Sequence, residues 1–189
     1  MTKMIQLIEA SKKVSEKMAN KHTPFIYNEW YVAAFSEEIN RELLGRRLLN
    51  RRVVLYRTLS GKAIALEDRC AHRSFPLSMG SLEDDDIRCG YHGFKYDSSG
   101  ALIEVPSQKQ CPQDIKTKQY KLVEKDSLAW IWLGDQNLAD ESQIPDLSWL
   151  ESDQWSCSSG YFTHPGNYVS MHENLMDLTH IVYLHKSTL

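Results

Sequence analysis

The feature that most constrains this chain is a pair of short cysteine–histidine motifs. Cys70 and His72 are separated by one residue, and Cys89 and His92 are separated by two. Residues 73–88 lie between the two motifs. Thiolates and imidazoles are the ligands that soft and borderline metals prefer in proteins. We therefore expect a fold that brings two loops, distant in sequence, to one metal centre.

Two kinds of centre accept two thiolates and two imidazoles. In a Rieske [2Fe–2S] cluster, two cysteines hold one iron and two histidines hold the other. Tetrahedral zinc also accepts two cysteines and two histidines, but zinc-finger spacing usually pairs Cys with Cys and His with His. Each half-site here mixes the two residue types, so the spacing favours the iron–sulfur cluster, which accepts and passes on single electrons. A structural zinc module is the alternative.

The residues around both motifs predict loops that are carried by β-strands. Apolar and β-branched runs alternate with short turn signals, which is typical of hairpins. A run of apolar residues near the middle of the chain predicts a buried strand. The predicted strands are residues 51–58 and 62–69 around a Ser60-Gly61 turn, residues 94–97 and 101–105 around a turn at 98–100, and residues 127–133.

Three features near the ligands suggest further roles. Glycines at Gly90 and Gly93 would let backbone N–H groups approach the cluster sulfides, which raises the reduction potential. Tyr91 is either a hydroxyl donor to a sulfur atom or a packed loop aromatic. The acidic run at residues 83–86 is most simply a solvated loop tip, and the alternative is a docking surface for a reductase or ferredoxin.

A second group of polar residues lies near the end of the chain. Asn174, Asp177 and His180 are three residues apart, so they would share one face of an ideal helix. His180 and His185 are five apart, about 140° around a helix, and can bind one metal only where the helix is irregular. Two histidines and a carboxylate form the facial triad of non-heme Fe(II) oxygenases, which leaves positions open for O₂. Behind a Rieske motif, this pattern predicts a mononuclear iron site.

From about residue 27 to residue 189, the sequence resembles the oxygenase component of Rieske non-heme iron oxygenases of the aromatic-ring type. The run from Asn174 through Asp177 to His180 is most similar to the vanillate and dicamba O-demethylase branch. The resemblance implies a mainly β fold with some α. An antiparallel β Rieske [2Fe–2S] domain would precede the beginning of an α+β, helix-grip-like catalytic domain.

The resemblance also implies roles for individual residues. His180 and His185 would bind the mononuclear Fe(II), and Asn174 would lie near it. Asp177 would be the catalytic residue that bridges His180 to a Rieske histidine of a neighbouring subunit in a homotrimer. The four motif residues would hold the cluster: Cys70, His72, Cys89 and His92. Two positions depart from the family pattern, since Ser74 stands where Gly is frequent and Phe94 where Trp is frequent.

The implied activity is that of a monooxygenase or dioxygenase. An NAD(P)H-dependent reductase or a ferredoxin would reduce the cluster, and O₂ would be activated at the mononuclear iron beside an aromatic small-molecule substrate. O-demethylation and hydroxylation both remain open. The family's third iron ligand is an acidic residue further along, and none follows His185. We therefore expect a truncated chain that is inactive alone. The alternative is a free-standing Rieske ferredoxin-type electron carrier.

Composition and segment patterns complete the prediction. We expect an N-terminal helical leader at 1–23, the Rieske domain at 24–140 and the start of the catalytic domain at 141–189, with an acidic linker at 135–146. A net charge of −3 gives no reason to expect nucleic-acid or membrane binding. Cys111 and Cys157 are isolated, and we expect free thiols and a reducing cytoplasm.

Overall fold

A computed structural model describes residues 25–187, which divide into two compact units. The larger unit is Ile26–Cys157, and the described part of the smaller one comprises Phe25 and residues 158–187. The predicted helical leader at 1–23 lies outside the described residues. The boundary predicted at residues 140 and 141 stays a prediction.

The larger unit is built from antiparallel strands in three sheets. The strands of the described chain are β1 (Glu29–Phe35), β2 (Leu44–Leu48), β3 (Arg51–Arg57), β4 (Ala63–Glu67), β5 (Ser81–Glu83), β6 (Asp86–Arg88), β7 (Lys95–Tyr96), β8 (Leu102–Glu104), β9 (Gln119–Tyr120), β10 (Leu122–Lys125) and β11 (Leu128–Leu133). The orders of the three sheets are β1-β11-β10, β2-β3-β4-β9 and β5-β6-β7-β8. The predicted mainly β fold, with antiparallel pairing, is confirmed.

Strand β3 carries an apolar run because both of its faces are covered. Val53 and Leu55 point into a core shared with strands β1 and β11. The alternate residues, Val54 and Tyr56, point into a second core that contains both motif cysteines. Since successive side chains of a strand point to opposite faces, one central sheet supports two cores. The second core is the one that positions the candidate site.

A third core explains why the predicted linker at 135–146 is packed. Ile144 is buried against the indoles of Trp30, Trp130 and Trp132, and Trp30 Nε1 donates to the Asp140 carbonyl at 2.8 Å. The acidic residues of this segment cap two short 3₁₀ helices, Gln136–Leu138 and Glu141–Gln143. Aspartates that bind the first backbone N–H groups of a helix are ordinary N-caps. The segment is therefore part of the larger unit rather than a loose connection.

The smaller unit contains two helices with a break between them. Helix α1 (Tyr168–Met176) begins where the Asn167 side chain accepts a bond from the Val169 N–H at 2.9 Å. It ends at Asp177, whose backbone is extended (φ −113°, ψ 91°), and α2 (Ile181–Leu184) follows a 3₁₀ turn over Leu178–His180. No helix in residues 25–187 is both long enough and apolar enough to cross a membrane.

Candidate functional site

The two cysteine–histidine loops have the same backbone architecture. In the first loop, the Cys70 N–H donates to the Phe75 carbonyl at 2.9 Å, and the Ser74 N–H donates to the Cys70 carbonyl at 2.9 Å. In the second, Cys89 and Phe94 form the corresponding bond at 2.8 Å, and Cys89 and Gly93 form the other at 3.0 Å. Each loop follows a strand, β4 in one case and β6 in the other.

Shared geometry gives Ser74 and Gly93 the same role. Both have a positive φ, +55° at Ser74 and +74° at Gly93, so each loop closes through a left-handed residue. Glycine adopts that conformation without steric cost, whereas serine does so at some cost. The Ser74 hydroxyl accepts a bond from Arg69 Nε at 2.9 Å, which holds the serine in place. Gly93 therefore serves to turn the chain, whereas the sequence suggested close approach to a sulfide.

The four motif side chains separate into a buried pair and an exposed pair. The cysteines are 2% exposed at Cys70 and 3% at Cys89, and both pack in the second core. Both histidines are exposed, and the ring centroids of His72 and His92 lie 4.6 Å apart. Phe94 stacks on His72 with the ring planes 7° apart, so an apolar face supports that imidazole. This places the histidine edges at the protein surface.

The thiol pair is surrounded by hydrogen-bond donors. Burial raises the pKa of the Cys89 thiol, and the neighbouring Cys70 thiol raises it further. The backbone N–H groups of Tyr91 and His92 act in the opposite direction, because they donate to the Cys89 sulfur and favour its thiolate. All four cysteines of the described chain are free of disulfides.

Tyr96 is a site residue that the sequence analysis missed. Its hydroxyl oxygen lies 3.3 Å from Cys70 Sγ and accepts a bond from the Ala71 N–H at 2.9 Å. Cluster binding requires Cys70 as a thiolate, which can only accept, so in that state the Tyr96 hydroxyl is the donor to the sulfur. Burial raises the pKa of Tyr96, which keeps the hydroxyl protonated. Tyr91, which we predicted as a possible donor, is 53% exposed and packs against Phe75 and His92.

The donor set fits a Rieske cluster. Among residues 25–187, no group of three or more His, Cys, Asp or Glu side chains is positioned around a single metal ion. The four motif residues instead form a thiol pair and an imidazole pair. A Rieske cluster uses its protein ligands in this way, with two thiolates on one iron and two imidazoles on the other.

The acidic run at residues 83–86 is largely paired within its own sheet and its surroundings. Glu83 receives bonds from Arg88 at 2.7 and 3.0 Å and lies 3.5 Å from Lys95 Nζ. Asp86 lies 3.2 Å from the same lysine. Asp85 accepts from Arg41 at 3.0 Å. The run forms the turn of the β5–β6 hairpin, and these ion pairs reduce its value as a docking surface.

Arg88 also links this hairpin to the second ligand loop. Its guanidinium donates to the Gly93 carbonyl at 2.9 Å and to both oxygens of Glu104 at 3.1 Å. The hydrogen bonds from Arg88 lower the pKa of both Glu83 and Glu104. Arg88 therefore connects β5 and β8, through Glu83 and Glu104, to the loop from Cys89 to Gly93.

The second predicted site is built around the helix break. The His180 and His185 ring centroids lie 5.4 Å apart, with ring planes at 65°. The predicted helical irregularity is confirmed, and the predicted regular face shared by Asn174, Asp177 and His180 is wrong because α1 ends before Asp177. Thr179 donates to the Asp177 carboxylate from its backbone N–H at 3.1 Å and its hydroxyl at 2.6 Å. Asp177 therefore caps the turn that carries His180.

The ring of His180 has a defined orientation. Its Nδ1 lies 2.7 Å from the Asp177 carbonyl oxygen, which can only accept, so Nδ1 carries the proton. The lone pair of Nε2 is then free to bind a metal, as in many histidine ligands whose other nitrogen donates to a carbonyl. Hydrogen bonds from Thr179 lower the pKa of Asp177, so its carboxylate is ionised at neutral pH.

Two protein families match the chain. Residues 29–121 match the Rieske [2Fe–2S] domain, and residues 165–189 match the vanillate O-demethylase oxygenase C-terminal domain. The chain is 46% identical over 166 residues to the toluene-4-sulfonate monooxygenase system iron-sulfur subunit of Comamonas testosteroni. That alignment covers 87% of this chain and 48% of the relative.

A second relative and a solved structure match the chain to a similar extent. The oxygenase component of dicamba O-demethylase from Stenotrophomonas maltophilia is 38% identical, over 86% of this chain and 48% of the relative. The crystal structure of dicamba monooxygenase bound to dicamba superposes with a TM-score of 0.82 at 38% identity, covering 87% of this chain and 50% of that one. The chain thus spans about half the length of the curated relatives it matches.

Proposed function

The chain belongs to the Rieske [2Fe–2S] domain family, and we propose that it is the electron-accepting part of an oxygenase component that acts on an aromatic compound. Its continuation into a vanillate O-demethylase-type oxygenase domain supports this proposal. The observation that carries the proposal is the arrangement of the four motif residues. Cys70 and Cys89 form a buried pair of thiols, and His72 and His92 form an exposed pair of imidazoles 4.6 Å apart.

Each residue of this centre has a distinct part in the proposal. The four motif residues hold the cluster, which supplies one-electron transfer when it is bound. Tyr96 and the backbone N–H groups of Tyr91 and His92 direct hydrogen bonds at the sulfur atoms and so favour the reduced, more negative state. The buried cysteines exclude water, and the exposed histidines present an edge at which electrons enter and leave.

The second site supports the oxygenase part of the proposal. His180 offers Nε2 and His185 lies beside it, which suits two ligands of a mononuclear Fe(II). Asp177 holds the turn in place and keeps an ionised carboxylate, so it is suited to accept a hydrogen bond from a histidine of a neighbouring copy in a homotrimer. We assign the supply of electrons to an NAD(P)H-dependent reductase or a ferredoxin, and the oxygenated molecule to the aromatic class.

The first test is the spectrum of the purified, anaerobically reconstituted chain. We expect visible absorbance, two acid-labile sulfides per chain and a Rieske-type electron paramagnetic resonance signal with an average g value below that of all-cysteine clusters. The His92→Ala variant should lose this signal, and His164→Ala, at a histidine outside both sites, should keep it. A colourless protein that binds zinc and lacks sulfide would contradict the proposal.

The second test separates an oxygenase from an electron carrier. The full-length protein is supplied with a reductase, O₂ and a methoxybenzoate, and product is measured by chromatography. Asp177→Asn should keep both metals and lose most product formation, whereas Asp153→Asn, at another exposed aspartate, should not. Reduction of the cluster with no oxygenated product from any aromatic compound would favour the free-standing carrier.

A further inference from the structure

A cluster of exposed arginines lies beside the first ligand loop. We define the basic surface as Arg47, Arg51, Arg52, Arg69 and Arg73, all of which are exposed. Arg47 and Arg52 face each other across the β2–β3 pair. Arg69 precedes Cys70 in the chain, and Arg73 follows His72 directly. The basic surface therefore borders the loop that supplies half of the cluster ligands.

These arginines differ from the others in having no carboxylate partner. Arg41, Arg46, Arg57 and Arg88 each form an ion pair at 3.1 Å or less. Within residues 25–187, none of the five arginines of the basic surface forms one. Arg69 donates to Ser74, Arg47 donates to Asn50, and Arg51 lies over the Tyr27 ring at 5.4 Å. Their positive charges are thus uncompensated by ion pairs.

A shallow cavity of about 270 Å³ connects the basic surface to the ligand loop. Arg51, Arg52, Arg69 and Ser74 line it, and so do two carboxylates, Glu67 and Asp68. Asp68 is 5% exposed and accepts hydrogen bonds from the Ser78 backbone N–H at 2.6 Å and from the Ser78 hydroxyl at 2.7 Å. Its carboxylate is therefore buried and hydrogen-bonded. The cavity wall therefore keeps an excess of positive charge.

We propose that the basic surface is the docking site for an acidic one-electron donor protein, with transfer through the exposed edge of His72. This inference rests on the proposed function, since it needs a redox cluster at this loop. Unpaired positive charges steer a negatively charged partner toward the surface and raise its association rate. The sequence offered the acidic run at 83–86 as an alternative docking surface, but three of its four carboxylates form ion pairs, whereas the five arginines form none within the described part of the chain.

The test measures reduction of the reconstituted chain by a plant-type [2Fe–2S] ferredoxin of negative net charge. Such a donor has a potential of about −400 mV, below the range of roughly −150 to +300 mV for Rieske clusters, so one electron moves from ferredoxin to the chain. The second-order rate constant is measured by stopped-flow absorbance. For the wild-type chain, we expect it to fall at least about tenfold between about 20 mM and about 300 mM salt.

Two double variants each remove two positive charges, one from the basic surface and the other from a different part of the protein surface. Arg52→Gln/Arg73→Gln alters the basic surface at two side chains without partners in the described chain, and should slow the reaction about tenfold at low salt. Lys62→Gln/Lys121→Gln alters two exposed lysines that line a different cavity, beside β4 and β10, and should change the rate less than about twofold. Equal slowing in both variants would overturn the proposal.

A second reductant distinguishes this inference from the proposed function. Photoreduced lumiflavin is small and lacks an acidic protein surface, so it should reduce the wild-type chain and both variants at the same rate. Slower reduction of the arginine variant by lumiflavin would overturn docking, because the arginines would then act on the cluster itself. A salt-dependent oligomer that only the arginine variant loses, with an unchanged ferredoxin rate, would assign the surface to copies of this chain. A chain without a Rieske signal would instead overturn the proposed function.

Discussion

At the scale of single residues, the site depends on two positions where the backbone is left-handed. Ser74 and Gly93 occupy equivalent places in the two ligand loops and close the same pair of hydrogen bonds. The serine at position 74 therefore affects only how easily the backbone adopts its left-handed conformation. Arg69 Nε stabilises the serine by donating to its hydroxyl at 2.9 Å. The second departure, Phe94, keeps an aromatic ring stacked on His72. Neither departure disturbs the ligands.

Tyr96 should tune the reduction potential of the cluster. Its hydroxyl lies 3.3 Å from Cys70 Sγ and would donate to that sulfur in the thiolate state, and a donor to sulfur stabilises the reduced state more than the oxidised state. We expect Tyr96→Phe to lower the potential by on the order of 60 mV, which for a one-electron couple is about 1.4 kcal/mol. Spectroelectrochemical titration measures this directly. The control, Tyr91→Phe, removes an exposed hydroxyl and should leave the potential unchanged; an equal drop in both variants would contradict the assignment.

At the scale of elements, arginines on the strands connect segments that are distant in sequence. Arg57, the last residue of β3, donates to the carbonyls of Ser36, Ile39 and Gly61 at 2.8 to 2.9 Å. It also forms a two-point ion pair with Glu124 of β10 at 2.7 and 2.9 Å. Such planar, two-point pairs are more specific than single contacts. This pair joins the sheet that carries the two cores to the sheet that contains β10.

The pair of Arg57 and Glu124 should make stability depend on pH. Hydrogen bonds from Arg57 lower the pKa of Glu124. A carboxyl whose pKa falls on folding stabilises the native state above its unfolded pKa of about 4.3, and this stabilisation is lost as pH falls through the lower folded value. We expect Glu124→Gln to reduce the free energy of unfolding by about 1 kcal/mol at pH 7, and by progressively less as pH falls below about 4.

Urea unfolding at a series of pH values measures this dependence. Glu141→Gln, at an exposed glutamate outside the pair, serves as the control and should leave the pH profile parallel to that of the wild type. A Glu124→Gln variant that is destabilised by the same amount at pH 3 and pH 7 would show that the contact acts through packing and not through charge.

Arg88 should control how firmly the second ligand loop holds the cluster. It donates to the Gly93 carbonyl and to two glutamates, so its loss frees the loop between Cys89 and Gly93. We expect Arg88→Gln to speed cluster loss to a chelator about tenfold, in line with about 1.4 kcal/mol for hydrogen bonds to a charged group. Decay of visible absorbance gives the rate. Arg41→Gln, which breaks an ion pair away from the ligand loops, should match the wild type, and Arg88→Lys should recover part of the loss.

At the scale of the whole molecule, the two candidate metal sites belong to different units. The proposed cluster ligands lie in the larger unit, which has three cores. The proposed mononuclear pair lies in the smaller one, where the described residues include no fully buried side chain. The cluster site is thus supported by packing on several sides. The proposed iron ligand His180 is instead positioned by local hydrogen bonds at the helix break.

This division predicts independent metal binding. His180→Ala should lower the mononuclear iron content and leave the Rieske signal and its visible absorbance unchanged. His92→Ala should have the opposite effect. Metal analysis by mass spectrometry, combined with paramagnetic resonance, measures both sites in one sample. Loss of the Rieske signal in His180→Ala would show that the smaller unit is needed to fold the larger one.

The positions of the strands were predictable from sequence because they depend on local pattern. The predicted strands at 51–58, 62–69 and 127–133 correspond to β3, β4 and β11, and their apolar runs match strands buried on both faces. The segment at 135–146 was not predictable from composition. Its acidic residues suggested solvent exposure, but they cap short turns while Ile144 is buried among tryptophans that lie far away in sequence.

The sequence by itself determined the family and a candidate donor set, because residue types and their spacing are properties of the chain alone. Only the tertiary structure decided which tyrosine reaches the sulfur, since packing of two different sheets in the second core brings Tyr96 to Cys70 across twenty-six positions. It also decided which charges are paired, because Glu83, Asp85 and Asp86 of the acidic run form ion pairs with Arg88, Arg41 and Lys95. Hydrogen bonds and ion pairs act over a few ångströms in space, and distance along the chain does not reveal them.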